Sequence, residues 1–417
     1  MHRLKKIILF SLLVSNTAIA QRDTLNINLQ QADSIYLINN FYLLAASMNL
    51  EASKAEIIQA RLYPNPVLTA EVNAYDPENR KVFHMGRSGQ KLLQVEQLIL
   101  LGGKKKAEIE IAKINVKIAE LEFEQLARQL KFRLHKDLFT IGQKQLLLER
   151  YNSQLALLNT LLTAYQVQAD KGNVPLKDVV RLKGAYMKLN NDRAELLKDF
   201  FEAQSSLQAL LQTSSIVRFI FSEQEIEKYI KLKSLQEVKE AASQHQPEVL
   251  IMQHNKLLAE QIFRYQKQLG IPDINLFSSY DQRSGAFNNQ VNAGISIPLP
   301  LWNKNQGNIR SSQFKIQEAG YNLMTLQNEI AANVQNAYLV YTETVAEYHK
   351  AHTLYNEDFE ITVKGMVNNF QKRNVSIIEF IDFFEAYNDV LTELSRIKTQ
   401  LVISGEQLNL LTGKDIF

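Results

Sequence analysis

Apolar residues between positions 101 and 170 recur three and four places apart. Ile111, Ile114, Ile118 and Leu121 form one stripe, and Val116, Phe123 and Leu130 form a second at seven-residue spacing. The stretch has no proline, and its glycines are Gly102 and Gly103 at its mouth and Gly142 inside. This predicts a helix over 104–170 that touches something on more than one face. Asp170-Lys171-Gly172-Asn173-Val174-Pro175 is the stop signal. Roughly 66 residues at ~1.5 Å per residue give a rod of about 100 Å, the scale of a coiled coil or the wall of a tube.

Four segments alternate with period two instead. In 66–75, Val67, Thr69, Glu71 and Asn73 share one face, and Leu68, Ala70, Val72 and Ala74 the other. In 290–299, Val291, Ala293, Ile295, Ile297 and Leu299 oppose Asn292, Gly294 and Ser296. In 273–281, Ile274, Leu276 and Tyr280 oppose Asn275, Ser279 and Asp281. Segment 91–100 is less regular, because Gln97 falls among Leu93, Val95 and Ile99. About ten alternating residues is the length of a tilted bilayer-spanning strand. A sheet lying on a soluble core is the alternative. Aromatic residues near the ends favour the membrane: Tyr63 and Trp302 at one end, Tyr75 and Tyr280 at the other.

The chain repeats itself after about 200 residues, far beyond a solenoid period. Leu101-Gly102-Gly103-Lys104 corresponds to Leu301-Trp302-Asn303-Lys304, and Lys171-Gly172-Asn173-Val174 to Lys372-Arg373-Asn374-Val375. Tyr63-Pro64-Asn65-Pro66 corresponds to Gly270-Ile271-Pro272-Asp273. The expected organisation is a first repeat over 21–212, a linker at 213–233 and a second repeat over 234–417. Each repeat carries two strands, a long helix (104–170, then 304–371) and a return helix (176–212, then 376–412).

Composition narrows the class. Residues 1–20 read as an export signal, with Arg3, Lys5 and Lys6 before an apolar core and Ala18-Ile19-Ala20 as the cleavage site. The chain has no cysteine, hence no disulfide framework and no lipid-carrying Cys. A net charge of +3 argues against nucleic acid as partner. Beyond the signal no run of 18 apolar residues occurs, so no membrane helix is expected.

Four strands cannot close a membrane barrel, and an open sheet in lipid leaves backbone groups unsatisfied. Spanning strands therefore require several copies. Two copies give eight strands and a bore filled by side chains; three give twelve and room for a polar lumen. The expected fold is mainly α with a membrane β-barrel part, a homotrimer in outer membrane lipid.

These features together resemble the TolC-like outer membrane efflux family. Leu101-Gly102-Gly103-Lys104-Lys105 and Ile297-Pro298-Leu299-Pro300-Leu301-Trp302-Asn303-Lys304-Asn305-Gln306-Gly307 resemble its cobalt–zinc–cadmium and copper–silver branch. The resemblance implies a trimeric twelve-stranded outer membrane barrel continued by a periplasmic helical barrel. It also implies a periplasmic adaptor (a membrane fusion protein) and an inner membrane pump of the resistance–nodulation–division type as partners. Such a channel adds no chemistry and needs no cofactor; heavy-metal cations are the expected cargo. A multidrug or type I secretion duct of the same fold, or a pore-free periplasmic scaffold, are the alternatives.

In that family an acidic ring narrows the far helix tip. Ser376-Ile377-Ile378-Glu379-Phe380-Ile381-Asp382 fits the family's pattern, which carries the constriction role to Glu379 and Asp382. The first repeat offers Asp178, but Arg181 in place of the second acid. The turns Gly172-Asn173-Val174 and Arg373-Asn374-Val375 become the expected docking tips. His349 and His352, with Glu347 nearby, could pair on a helix, but two histidines without a third ligand do not make a metal site. No nucleophile elbow and no phosphate loop is present, so no enzymatic activity is expected.

Overall fold

The structure is a computed structural model that describes residues 23–283, 286–355 and 357–417. The expected export signal lies outside the described residues. The chain packs as two units. A helical unit takes Met1–Leu44 (described from residue 23), Ala127–Val238 and Val334–Phe417; a strand-bearing unit takes Ala45–Leu126 and Lys239–Asn333.

Helix α1 (Leu29–Asn39) starts from a capping box between Asn28 and Gln31, and α2 spans Phe41–Arg61. The long helix α3 runs Lys104–Asp170, 67 residues without a break, as expected of a segment free of proline with one internal glycine. Its return helix α4 is Leu176–Leu211. Short helices α5 (Glu223–Glu227) and α6 (Leu235–His245) lead to α7 (Pro247–Leu269), which has proline in its first turn.

The second repeat departs from the expected single helix over 304–371. Asn305 takes a left-handed conformation (φ 63°) and its amide donates to the Gln266 carbonyl at 2.7 Å, so α8 begins at Gln306. It ends at Leu354, the chain bends at Tyr355, and α9 resumes over Glu357–Gln371. Thr353, Tyr355 and Asn356 are weak helix formers in near succession, which accounts for the interruption. Helix α10, Ile377–Thr412, returns.

The inter-repeat linker at 213–233 carries secondary structure of its own. Within it Ile216–Phe219 forms a strand that pairs in parallel with Thr24–Ile27, in register Thr24 to Ile216. These are β6 and β1. A 3-10 turn at Lys228–Ile230 follows α5 and delivers Tyr229 into the helical unit's core.

The strand-bearing unit holds β2 (Val67–Val72), β3 (Tyr75–Asp76), β4 (Lys81–Val82), β5 (Lys91–Ile99), β7 (Ile274–Arg283) and β8 (Phe287–Ser296). β3 and β4 form a small hairpin; the others form an antiparallel sheet in the order β2-β5-β7-β8. β8 lies three residues earlier than expected. Pro298 and Pro300 cannot donate to a ladder, so Ile297 and Leu299 fall outside it. The segment 66–75 is shorter too: its ladder stops at Val72.

Candidate functional site

The register of the sheet decides its two surfaces. Ala70, Leu93, Tyr280 and Val291 stand in one row across the four strands, and Leu68, Val95, Ser278 and Ala293 in the next. The intervening row is Thr69, Gln94, Ser279 and Asn292. One face is thus apolar and the other polar, because side chains alternate along each strand. The apolar face is bare: Val291 is 72% exposed and Leu68 65%. Gln97, the irregular residue on that face, donates its amide to the Pro64 and Leu98 carbonyls at 2.9 and 3.0 Å. On the polar face the Phe277 ring covers Gly294, where an added Cβ would come within 2.5 Å of it. β2 and β8 are the sheet's two ends, each paired on one side within the chain.

The strand-to-helix junction explains the Leu101-Gly102-Gly103-Lys104 motif. Gly102 and Gly103 have φ of 70° and 80°, a region that glycine enters without strain. A Cβ on Gly102 would also meet the Ile271 side chain at 2.7 Å. The turn buries Lys104, whose ammonium meets the Asp273 carboxylate at 2.7 Å and the Ile271 carbonyl at 2.6 Å. Asp273 also accepts from the Leu101 backbone N–H at 2.8 Å. The two motifs singled out by the duplication therefore clamp each other.

Of the aromatics, Tyr63 and Trp302 flank the same end of the sheet, beyond Val67 and Ser296, and both are exposed. Tyr75 opens the small hairpin past the other end. Tyr280 sits inside β7, two rows from that end, with its hydroxyl on the Asn289 side chain.

In the helical unit the two turns are built alike. Gly172 N–H donates to Ala169 O and Asn173 N–H to Gln168 O, both at 2.9 Å; Arg373 N–H donates to Phe370 O at 3.0 Å and Asn374 N–H to Asn369 O at 2.9 Å. Each is a helix C-terminal motif closed by a left-handed residue, Gly172 at φ 76° and Arg373 at φ 62°. A left-handed arginine carries a Cβ penalty that a glycine lacks. Arg373→Gly is accordingly expected to raise stability by about 0.5–1 kcal/mol after glycine's own entropy cost, read from thermal unfolding.

Stacked rings bind the turns to the helices behind them. Tyr165 and Phe370 lie 5.4 Å apart, Phe370 and Phe380 4.1 Å, and Phe380 and Phe384 5.7 Å. Asp178 and Glu379 each occupy the third position of their helix, α4 and α10. Glu379 completes a capping box: its carboxylate accepts from the Ser376 N–H at 2.9 Å and from the Ser376 hydroxyl at 2.8 Å. The Ser376 backbone bond, then the hydroxyl bond, hold its pKa below the usual carboxylate value. Asp382 is exposed one turn further on.

His349 and His352 are exposed and pack beside Tyr348, at ring distances of 6.1 and 6.0 Å. Among the described residues no three His, Cys, Asp or Glu side chains gather as a metal site would require.

One group of residues escaped the sequence reading. His135 lies between two carboxylates, Glu406 at 2.9 Å on Nδ1 and Asp33 at 2.8 Å on Nε2. The Tyr229 hydroxyl donates to the same Glu406 oxygen, and the Asn409 amide donates to the other at 3.3 Å. His135 and Glu406 are each 4% exposed. Burial alone would push both toward neutrality. Their mutual contact, with Asp33, outweighs it, raising His135 to about 9 and lowering Glu406 to about 2. The signal available in sequence was a lone histidine and a lone glutamate within apolar helix stripes.

No protein-family model matches the sequence. The cobalt-zinc-cadmium resistance protein CzcC of Cupriavidus metallidurans is 25% identical over 297 residues, spanning 69% of this chain and 66% of CzcC. The chain thus covers just under two thirds of that relative. Among solved structures, CusC, described for folding and transmembrane channel formation, matches with a TM-score of 0.75 at 16% identity, over 93% of this chain and 92% of CusC. The chain shares the fold of the TolC-like outer membrane channels. The outer membrane protein VceC of Vibrio cholerae has the same fold, with a TM-score of 0.72, 13% identity and coverage of 93% and 97%.

Proposed function

We propose that three copies of this chain close a twelve-stranded barrel whose helical continuation is a passive exit duct for heavy-metal cations. The observation that carries this reading is the sheet: one bare apolar face, one polar face and two unpaired ends. Such a sheet satisfies its backbone in lipid only by joining further copies into a ring. Twelve strands leave a polar lumen. An inner membrane pump of the resistance–nodulation–division type supplies the energy, and a periplasmic adaptor docks at Gly172-Asn173-Val174 and Arg373-Asn374-Val375. Tyr63, Tyr75, Tyr280 and Trp302 anchor the barrel at the membrane interfaces. The metal cargo is carried over from the relative CzcC, a cobalt-zinc-cadmium resistance protein.

Glu379 and Asp382 of each copy, with Asp178 near them, line the narrow periplasmic end and favour cations. Changing Glu379 and Asp382 to Ala is expected to raise single-channel conductance in planar bilayers and to weaken cation preference. Unchanged conductance and selectivity would remove the assignment. A strain lacking the protein should lose tolerance to transition-metal salts more than to dyes or detergents; the opposite profile would assign a multidrug duct.

A further inference from the structure

The helical unit carries two outward-facing surfaces without charge. Charged residues make up 22% of the sequence, yet none occurs in the 15 residues from Tyr36 to Leu50, nor in the 13 from Ile330 to Thr342. Each run has one buried side and one exposed side. Leu37, Ile38, Phe41 and Tyr42 are exposed at the α1–α2 corner, Ile38 at 70%. Leu339 and Val340 are exposed on α8. Depletion of charge together with exposed large apolar side chains marks the centre of a protein interface.

The corner is held rigid. Asn40 is fully buried; its amide donates to the Leu210 carbonyl at 2.9 Å, and its oxygen accepts from the Tyr42 and Leu43 N–H groups at 3.0 and 3.2 Å. That pins the chain between α1 and α2 and holds Phe41 and Tyr42 away from the core. On α1, Ala32 and Tyr36 face inward while Leu37 and Ile38 face out; on α8, Tyr341 faces inward while Leu339 and Val340 face out.

One hydrogen-bonded path links the elements that carry the two surfaces. It runs from Asp33 on α1 through His135 and Glu406 to Tyr229, whose carbonyl accepts from the Tyr341 hydroxyl on α8 at 2.6 Å. The exposed residues Leu37 and Ile38, and Leu339 and Val340, lie on the two helices at its ends, α1 and α8.

We infer that the α1–α2 corner of one copy docks against the 339–340 surface of α8 on the next copy. The occupant is a second copy of this chain, because the unpaired sheet ends already demand one. Two different surfaces meeting head to tail make a heterologous contact, the kind that closes a ring of identical subunits. The inference rests on the proposed ring and deepens it by naming the side chains that join neighbours.

The natural absence of cysteine makes the test clean. Ile38→Cys with Val340→Cys, and Phe41→Cys with Leu339→Cys, would be introduced into the full chain, purified in mild detergent and oxidised with copper phenanthroline. At least one pair is expected to yield covalent species of two and three copies on non-reducing gels, with each single variant unlinked. Copy number would be measured in parallel by mass. An oligomer in which neither pair links copies, or in which Ile38→Cys alone links to itself, overturns the inference and leaves the ring standing. A single copy in every preparation overturns both. As a cysteine-independent check, Phe41→Glu is expected to weaken assembly at least tenfold by dilution; unchanged dissociation would also overturn the contact.

Discussion

Replacing His135 with Leu is expected to destabilise the helical unit by about 3–5 kcal/mol, because it strips a buried carboxylate of its partner. Glu406 would keep the Tyr229 and Asn409 bonds but lose its counter-charge. The effect should follow pH. His135 is raised from 6.5 to about 9, so its contribution is complete below about 6.5 and is lost as pH rises through 9. Glu406 is lowered from 4.5 to about 2, so its contribution is complete above 4.5 and is lost as pH falls through 2. Stability from this pair is therefore greatest between pH 4.5 and 6.5. Thermal unfolding of the natural chain should weaken from pH 6.5 to 9.5, while His135→Leu should be nearly flat over that interval. A parallel decline in both proteins would contradict the account.

Lys104→Ala should cost about 2–4 kcal/mol, somewhat below the full figure for a broken buried pair, because Asp273 keeps partial access to water. Asp273 would still accept from the Leu101 N–H, but the join between β5 and α3 would lose the cation that bridges Asp273 and the Ile271 carbonyl. The measurable outcome is a lower melting temperature in detergent and less folded, heat-resistant oligomer on semi-native gels. Lys104→Arg keeps the charge but offers a planar fork where a compact ammonium bonds both Asp273 and the Ile271 carbonyl, and should recover little. Full recovery by arginine would mean that charge, and not the fitted contact, is what matters.

What could be read from sequence was whatever rests on local conformation or on period. Gly102, Gly103 and Gly172 mark left-handed positions that other residues enter with strain, so the turns stood out. Strand alternation survived because each strand presents one apolar and one polar face. Long-range pairing left no such trace. β1 and β6 are four residues each and meet across some 190 positions, without periodicity of their own. The Asp33–His135–Glu406–Tyr229 group draws on four separate segments, and no spacing connects them. The break at Tyr355 was missed because it needs no proline or glycine, only a run of indifferent helix formers. At the tip, the sequence pattern placed Glu379 at a helix start but did not reveal that its carboxylate is already engaged by Ser376.

The sheet's unsatisfied ends also bear on how the protein is made. Each newly made polypeptide carries, at β2 and β8, two templates able to recruit any extended strand they encounter. In the proposed ring, correct joining competes with adventitious pairing, and it gains ground steeply as copies accumulate, since several must meet. Starved production should therefore favour misassembled, protease-sensitive material over finished rings, and escorting factors that shield strand edges should matter most when expression is low.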